Sequence, residues 1–353
     1  MKITRNQDID RMRGLTVFLM LVVNSPVDLR ITNSALIHSE WAGLSLADTV
    51  FPTFLFIVGI SLTLSNRLKK ITLRGLFIRS TVLVLTGIFL KAIVFVLYDQ
   101  EHFKIMGVLQ RIGICYGVTG LIYHFISNKK LTALCLALIL AWSAILMVWG
   151  DYNQYANISD VVDDLLLGAH ANYYNTDTGR SGDSEGVLST LGALVTTLSG
   201  VIFGEQINKI SDARGFCYGM VCIITGFVLA YYFSIPIVKK LWTPSFLLIC
   251  VGIAIWLYLL VKRMAVIDLT WLEYPGKHSL AIYVISVIAF DVLLYCHVWH
   301  SLFVAVYTWL IPRSIPLQGA TLFFSVLFSS VICFTPYLIQ KTMFFVKRAI
   351  YAD

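Results

Sequence analysis

Ten predominantly apolar stretches, most of them near the length of a membrane-spanning helix, recur along this 353-residue chain. An α-helix needs about 20 apolar residues to cross a bilayer core of about 30 Å. Only 13% of the residues are charged, against about 25% in soluble proteins, so an ordinary soluble fold is excluded. The predicted spans are residues 14–28, 45–66, 76–98, 105–127, 131–150, 187–206, 215–235, 243–261, 277–297 and 318–340. We therefore expect an all-α polytopic membrane helix bundle of about ten transmembrane helices, forming one membrane-embedded domain over residues 1–353.

The distribution of lysine and arginine predicts the orientation of this bundle. With the amino terminus placed in the cytoplasm, 19 basic residues fall in cytoplasmic segments and 6 in extracytoplasmic segments, whereas Lys91 and Arg111 lie within spans. Cytoplasmic loops of membrane proteins carry the excess of basic residues. We therefore expect both termini in the cytoplasm and a multi-pass protein of the inner (plasma) membrane.

Two features bear on the helix count and the architecture. Residues 301–311 are apolar but too short to span a bilayer safely, so an interfacial or re-entrant piece is expected, with an eleventh helix as the alternative. Glycine and proline within the spans, including Pro52, Gly59 and Gly113, favour close helix contacts and local breaks. No internal repeat is evident, which disfavours the repeat-built transporter folds.

Polar residues concentrate around the loop between the first two spans. An Asp-x-x-Arg-Gly motif, with Arg13 in it, precedes an apolar run that ends at Asn24. The loop carries His38, and Asp48 opens the second span. Ionisable groups at the membrane face are costly and are typical of functional sites. The charge distribution places His38 outside the cytoplasm, where an imidazole can take a proton from an amine or hydroxyl nucleophile. Taken alone, a loop histidine is more often a solvated side chain, so its context decides the interpretation.

The order of these motifs resembles the transmembrane acyltransferase family of heparan-α-glucosaminide N-acetyltransferase and its bacterial relatives. His38, Trp41, Gly43 and Asp48 match, in that order, the family's histidine loop and the helix that follows it. The resemblance implies that His38 is the catalytic histidine. It implies that Asn24 lies beside it, where an amide orients the imidazole or binds an oxyanion. A helix C-cap is the alternative role for Asn24.

A Leu-Gln-Arg-Ile run at residues 109–112 is a second family signature. Arg111 lies within a predicted span, level with Asp48, and charges at membrane depth need partners. We therefore expect an Asp48–Arg111 ion pair that braces the site, with Gln110 and Trp41 as further supporting residues. Direct catalysis by the pair is the alternative.

The longest extracytoplasmic loop, residues 151–186, contains seven acidic residues against Arg180 alone. It ends in an Asp-Ser-Glu-Gly run that matches the family's entry into the next span. The resemblance implies that one carboxylate of Asp183 or Glu185 holds the acceptor amine. Two alternatives stay open: carboxylates that stabilise a helix dipole, and a solvated face of the loop.

The resemblance also implies the substrates, which are acetyl-CoA as co-substrate and the amine of a glucosamine-type sugar as acceptor. Because coenzyme A carries phosphates, Arg13 near the cytoplasmic end is the expected contact. His297 and His300 have no third ligand near in sequence, so no metal site is expected. The expected surroundings are the lipid bilayer and no nucleic acid, and a homodimer is left open. The alternative function is an amino-sugar transporter or binding protein without catalysis, which the clustering of polar groups at one membrane face disfavours.

Overall fold

The computed structural model of the chain describes residues 6–67, 72–126, 128–264, 268–313 and 315–350. Within these ranges the helices and one short antiparallel hairpin are joined by loops, so the all-α prediction is confirmed. The helices are α1 (Gln7–Asn24), α2 (Leu46–Arg67), α3 (Leu73–Leu97), α4 (Val108–Phe125), α5 (Asn128–Trp149), α6 (Ile158–Leu167), α7 (Thr190–Gln206), α8 (Asp212–Tyr231), α9 (Pro244–Arg263), α10 (Thr270–Lys277), α11 (Ser279–Tyr295), α12 (Val298–Leu310) and α13 (Leu317–Ile350), and the hairpin joins β1 (Tyr173–Tyr174) to β2 (Ser181–Gly182).

Each predicted span coincides with a helix, but fewer helices qualify as membrane spans. In the described part of the chain, α2, α3, α5, α8, α9 and α13 are long and apolar enough to cross a membrane. The pair α10 and α11, bent by 77°, would make a seventh span. The predicted count of about ten is therefore not confirmed. Two reasons are physical: α1 begins with two acidic and two basic residues, and α7 has only 17 residues.

Two further expectations concern the short apolar piece at residues 301–311 and the orientation of the bundle. Residues 301–311 fall largely in α12, a helix of 13 residues that is shorter than a bilayer core requires. Some basic residues that carry the orientation argument, among them Lys2, Lys69 and Lys70, lie outside the described residues. The cytoplasmic location of both termini stays a prediction.

The described helices form two compact units. The first unit is Ser39–Leu260 and holds α2 to α8, most of α9 and the hairpin. The second unit combines Arg5–His38 with Val261–Asp353 and holds α1 and α10 to α13. The prediction of one domain over residues 1–353 stays a prediction.

In the first unit, α2 is an interior helix, whereas α3, α5 and α8 present apolar faces outward. In the apolar 18-residue stretch of α2, 78% of the residues are buried, against 11% in α3, 22% in α5 and 17% in α8. The outward side chains of these three helices are large hydrophobics, such as Phe77, Leu140 and Val221. Such faces fit a hydrocarbon solvent, because water would not tolerate an apolar surface this extensive.

Contacts between backbones bring α2 and α7 together. A Cβ atom on Gly59 of α2 would lie 2.0 Å from the Thr197 carbonyl oxygen of α7. Conversely, a Cβ on Gly200 of α7 would lie 2.1 Å from the Phe56 carbonyl oxygen. Gly200 and Gly204 form a small-xxx-small pattern, which lets membrane helices approach closely. The predicted role of Gly59 in a close helix contact is confirmed.

The second unit has a similar close backbone contact between α1 and α10. A Cβ on Gly14 would lie 1.9 Å from the Leu272 carbonyl oxygen, and one on Gly276 would lie 1.8 Å from the Asp10 carbonyl oxygen. Beside this contact, the Arg11 guanidinium pairs with Glu273 at 3.1 Å. The Asp-x-x-Arg-Gly motif thus includes a glycine that helix packing requires.

We predict that Gly59→Ala destabilises the protein. Overpacking typically costs about 1–3 kcal/mol, and here the obstructing atoms of Thr197, Gly200 and Val201 belong to the backbone and cannot rotate away. The measurement is thermal unfolding of the purified protein in detergent. Gly215→Ala is the control, because its added Cβ would meet only side-chain ends of Leu259 and Ile210 at 3.2 Å or more. Equal melting temperatures for the two variants would contradict the prediction.

Candidate functional site

His38 and Asn24 both lie in the second unit. Asn24 is the last residue of α1, and His38 follows a short 3-10 turn at Ser34–Leu36. Both side chains are exposed. Asn24 is thus the last residue of its helix, whereas the C-cap position is taken by Ser25. The exposed imidazole of His38 is open to solutes.

The loop that joins Asn24 to His38 is anchored on α12 and α13. The Trp299 indole Nε1 donates to the Pro26 carbonyl oxygen at 3.3 Å, and the Ser325 hydroxyl donates to the Ser25 carbonyl oxygen at 2.9 Å. Val27 is buried in the cluster formed by Trp299, Phe303, Leu310, Ala320 and Phe324. An apolar anchor and two hydrogen bonds therefore fix the first part of this loop.

Arg13, the expected coenzyme A contact, has partners within the second unit. Its Nη1 atom donates to Asp10 Oδ1 at 3.0 Å and to the Gly276 carbonyl oxygen at 3.1 Å. The ion pair with Asp10 joins residues one helical turn apart in α1. Arg13 therefore has a structural role, and its contact with coenzyme A stays a prediction.

Asp48 lies in the first turn of α2 with no exposed surface. Its Oδ2 atom accepts hydrogen bonds from the amides of Ser39 and Ser45, both at 3.1 Å, and from the Ser45 hydroxyl at 2.9 Å. Its Oδ1 atom lies 3.4 Å from Lys239 Nζ. A buried carboxylate needs such compensation, and a lysine from the loop before α9 supplies the charge.

The predicted Asp48–Arg111 ion pair is wrong. Within the described part of the chain, Arg111 Nη2 donates to the Gly186 carbonyl oxygen at 3.1 Å and to the Ser189 hydroxyl at 2.6 Å. Its guanidinium lies 5.1 Å from the centre of the Trp242 ring, within the range of a cation–π contact. The physical reason for the error is that Lys239, which is remote in sequence, takes the place beside Asp48.

Arg111 is itself fully buried, and its bonds leave part of the guanidinium unsatisfied. Its Nε and Nη1 atoms have no hydrogen-bond partner among the described residues. The carboxylates that interact with it electrostatically are Glu185, Asp183 and Asp163, all from the acidic loop or its end. Arg111 therefore attaches the start of α4 to the acidic loop and not to α2.

The two other supporting residues also bind neighbouring segments of the first unit. Gln110 donates through Nε2 to the Ile105 carbonyl oxygen at 2.9 Å. Trp41 donates through Nε1 to the Tyr152 carbonyl oxygen at 2.7 Å, and Lys240 Nζ lies 5.2 Å from its ring centre. Both contacts fix loops at the ends of helices, and a supporting role for these residues stays a prediction.

The carboxylates of Asp183 and Glu185 share one partner, Asn172. The Asn172 side-chain amide donates to Asp183 Oδ1 at 2.6 Å and to Glu185 Oε2 at 3.0 Å, and its backbone amide donates to Asp183 Oδ2 at 2.9 Å. Lys91 Nζ in turn donates to Asn172 Oδ1 at 3.0 Å. Internal bonds therefore occupy both oxygens of Asp183, whereas Glu185 is only half-buried.

The acidic loop is not a solvated face at its main carboxylates. Asp160, Asp163 and Asp183 are each at most 1% exposed. Asp160 accepts the Tyr173 hydroxyl at 2.6 Å, and Asp163 Oδ1 accepts the Val187 amide at 2.8 Å. Burial raises the pKa of Asp163 to about 7 and also raises the pKa values of Asp160 and Asp183. These carboxylates therefore shape the loop from within, and the alternative of a solvated face is wrong for them.

Lys239 is the residue that the sequence reasoning did not assign to this site. The Lys239-Lys240 pair stands out in the sequence as two adjacent cations in an otherwise apolar region. That signal identifies a candidate partner for a buried carboxylate, but it does not identify which carboxylate. Burial lowers the pKa of Lys239, and the charge of Asp48 opposes that shift.

Comparison with known proteins shows which proteins this chain resembles. Residues 5–159 match the family model described as heparan-alpha-glucosaminide N-acetyltransferase, catalytic. Two curated relatives carry the same name: the protein of Mus musculus is 27% identical over 347 residues, and that of Homo sapiens is 25% identical over 355 residues. The alignments cover 78% and 79% of the chain, which spans about half (52%) of the length of each of these relatives.

The family match places the predicted site residues in two groups. The segment 5–159 contains the histidine loop and both residues of the Gln-Arg pair. Asp183, Glu185 and Lys239 lie beyond it. The similarity to the heparan-alpha-glucosaminide N-acetyltransferase family model therefore bears most directly on His38 and Asn24 and less directly on the acidic loop.

We predict that Asp163→Asn changes the pH dependence of stability. Asp163 has a folded-state pKa of about 7 against 3.8 for the free side chain, so between these values the folded state holds a proton that the unfolded state has lost. Stability from this group is therefore lost as the pH rises. Asparagine keeps the acceptor for the Val187 amide and does not titrate. The difference in unfolding free energy between the variant and wild type should therefore rise by on the order of 1–3 kcal/mol from about pH 5 to about pH 8, in favour of the variant.

Thermal or denaturant unfolding in detergent at the two pH values measures this gain. The control is Asp177→Asn, the same substitution at an exposed position of the same loop. A stability difference between Asp163→Asn and wild type that does not change with pH would refute the assignment.

Proposed function

We propose that this chain is a multi-pass acetyltransferase of the inner (plasma) membrane. It moves an acetyl group from cytosolic acetyl-CoA to the amine of a glucosamine-type sugar at the extracytoplasmic face. The observation that carries the proposal is the family match over residues 5–159, which includes the whole segment from Arg13 to Asp48. The membrane location is supported by at least six helices of sufficient length and apolar character in the described part of the chain.

The proposed chemistry uses His38 as the general base. The acceptor nitrogen attacks the thioester carbonyl carbon, a C–N bond forms, the C–S bond breaks and the coenzyme A thiolate leaves. His38 removes the proton that the nitrogen loses and returns it to the thiolate or to water. Asn24 donates a hydrogen bond to the carbonyl oxygen as negative charge develops there. The exposure of both side chains supports this assignment, because the acceptor arrives from solvent.

For the substrates we propose two contacts. Arg13 binds the phosphates of coenzyme A; its pairing with Asp10 holds the guanidinium in one position, so that little side-chain freedom is lost on binding. Glu185 holds the acceptor ammonium in preference to Asp183, because three N–H groups already occupy the carboxylate of Asp183.

We predict that His38→Ala abolishes acetyl transfer. Loss of a general base typically lowers the reaction rate by about 10²–10⁴-fold. Donor binding and thermal stability should stay close to wild type, because the side chain is exposed. The measurement is transfer of labelled acetyl from acetyl-CoA to glucosamine by protein in detergent or liposomes.

His300→Ala is the control, since it removes an exposed histidine of the same unit and should leave the rate unchanged. Wild-type transfer by His38→Ala would refute the catalytic role. Accumulation of unmodified amino sugar inside liposomes, without acetylation, would favour transport over catalysis.

We further predict that transfer is direct and does not pass through an acetyl-imidazole. An acyl group on an exposed histidine would meet water and be lost whenever acceptor is scarce. Incubation with labelled acetyl-CoA and no acceptor should therefore leave the protein unlabelled. Stoichiometric label on His38 that later glucosamine removes at the turnover rate would overturn the direct route.

A further inference from the structure

Residues 39–45 link His38 to α2. Both ends of this segment donate hydrogen bonds to the same oxygen atom. Oδ2 of Asp48 accepts the amide of Ser39, at the first position, and the amide and hydroxyl of Ser45, at the last. A carboxylate oxygen that accepts several hydrogen bonds is held best when it is ionised. The conformation of this segment therefore depends on the charge of Asp48.

Lys239 keeps that charge in place. Asp48 has no exposed surface, and the Lys239 side chain is 18% exposed, with its Nζ atom 3.4 Å from Asp48 Oδ1. Removal of one partner of a buried pair leaves an uncompensated charge, which is strongly unfavourable. Without Lys239, the Asp48 carboxylate would lose this countercharge, and the bonds to Ser39 and Ser45 would weaken.

Two backbone hydrogen bonds close the turn that carries Lys239. The Thr243 amide donates to the Val238 carbonyl oxygen at 3.2 Å, and the Trp242 amide donates to the Lys239 carbonyl oxygen at 2.9 Å. Trp242 is fully buried and adopts a φ of +50°, a conformation that a bulky side chain adopts only when its surroundings enforce it. The Lys239 side chain therefore extends from a hydrogen-bonded turn.

The same turn holds the middle of the 39–45 segment. The Gly43 amide donates to the Ile237 carbonyl oxygen at 2.8 Å, and Ala42 pairs with Val238 in an antiparallel bridge. Lys240 Nζ lies 5.2 Å from the ring centres of both Trp41 and Tyr173. Two adjacent lysines thus act on two different points of the segment.

We propose that Lys239 is a positioning residue for the acetyl-transfer reaction. Through Asp48 it fixes the peptide of Ser39, the residue that directly follows His38 in the sequence. It touches neither substrate in this role. The inference rests on the proposed function only for its catalytic consequence, because the effect on residues 39–45 is independent of any activity.

Two variants test the charge of Lys239 directly. Lys239→Met keeps the length of the side chain and removes the ammonium, whereas Lys239→Arg keeps the charge. The matched control is Lys104→Met, because Lys104 donates to the Ala169 carbonyl oxygen and lies on a different loop. The measurement is hydrogen–deuterium exchange of the amides of residues 39–45 in the full-length protein in detergent.

Lys239→Met should raise exchange in residues 39–45 at least tenfold, and Lys239→Arg should stay within about threefold of wild type. Lys104→Met should leave this segment unchanged. In the acetyl-transfer assay, kcat of Lys239→Met should fall at least tenfold with KM for acetyl-CoA unchanged. The kcat of Lys239→Arg should stay close to the wild-type value. If Lys239→Met does not fold, the double variant Lys239→Met with Asp48→Asn replaces it, with the same expected loss of protection and of kcat.

Unchanged exchange at residues 39–45 in the folded Met variant would overturn the proposal. Raised exchange with a wild-type kcat would overturn the catalytic part, since the segment would then be ordered for no benefit to the reaction. An inactive wild type would refute the proposed function and with it the catalytic part, whereas the exchange result would still decide whether Lys239 orders the segment.

Discussion

A buried carboxylate, Asp48, governs the conformation of the loops at the start of α2. It has no exposed surface and receives two amides, one hydroxyl and one ammonium. Because burial of an unpaired charge is costly, loss of any of these donors is expected to weaken the local structure around Asp48. One residue therefore couples the segment before α2 to the turn before α9, which lies almost two hundred residues further along the chain.

The helices that carry these loops are packed closely enough for their backbones to be in contact. The α2–α7 contact depends on Gly59 and Gly200, and the α1–α10 contact depends on Gly14 and Gly276. Gly14 directly follows Arg13, whose guanidinium bonds Asp10 and the Gly276 carbonyl oxygen. The Asp-x-x-Arg-Gly motif therefore contributes to the packing of α1 on α10.

The sequence predicts the helices well and the partners of charged side chains poorly. Apolar stretches locate a helix at every predicted span, because burial in lipid or protein selects composition directly. The helix α6 was missed, since an acidic stretch in a loop gives no apolar signal of sufficient length. The choice of Arg111 as partner for Asp48 failed because it rested on the expected depth of the two residues in the second and fourth spans, whereas the true partner, Lys239, comes from a distant turn. Pairing of this kind depends on tertiary approach, which neither spacing nor composition specifies.

The acidic loop shows why formal charge is a poor guide to what a loop attracts. Seven acidic residues suggest a strong attraction for a cationic amine. Burial, however, raises the pKa values of Asp160, Asp163 and Asp183, so near neutral pH the loop carries less negative charge than its composition implies. The remaining lone pairs of Asp160 and Asp183 are largely committed to neighbouring donors. Under the proposed function, a specific, accessible carboxylate would select the acceptor amine, and the half-buried Glu185 meets that condition better than the loop as a whole.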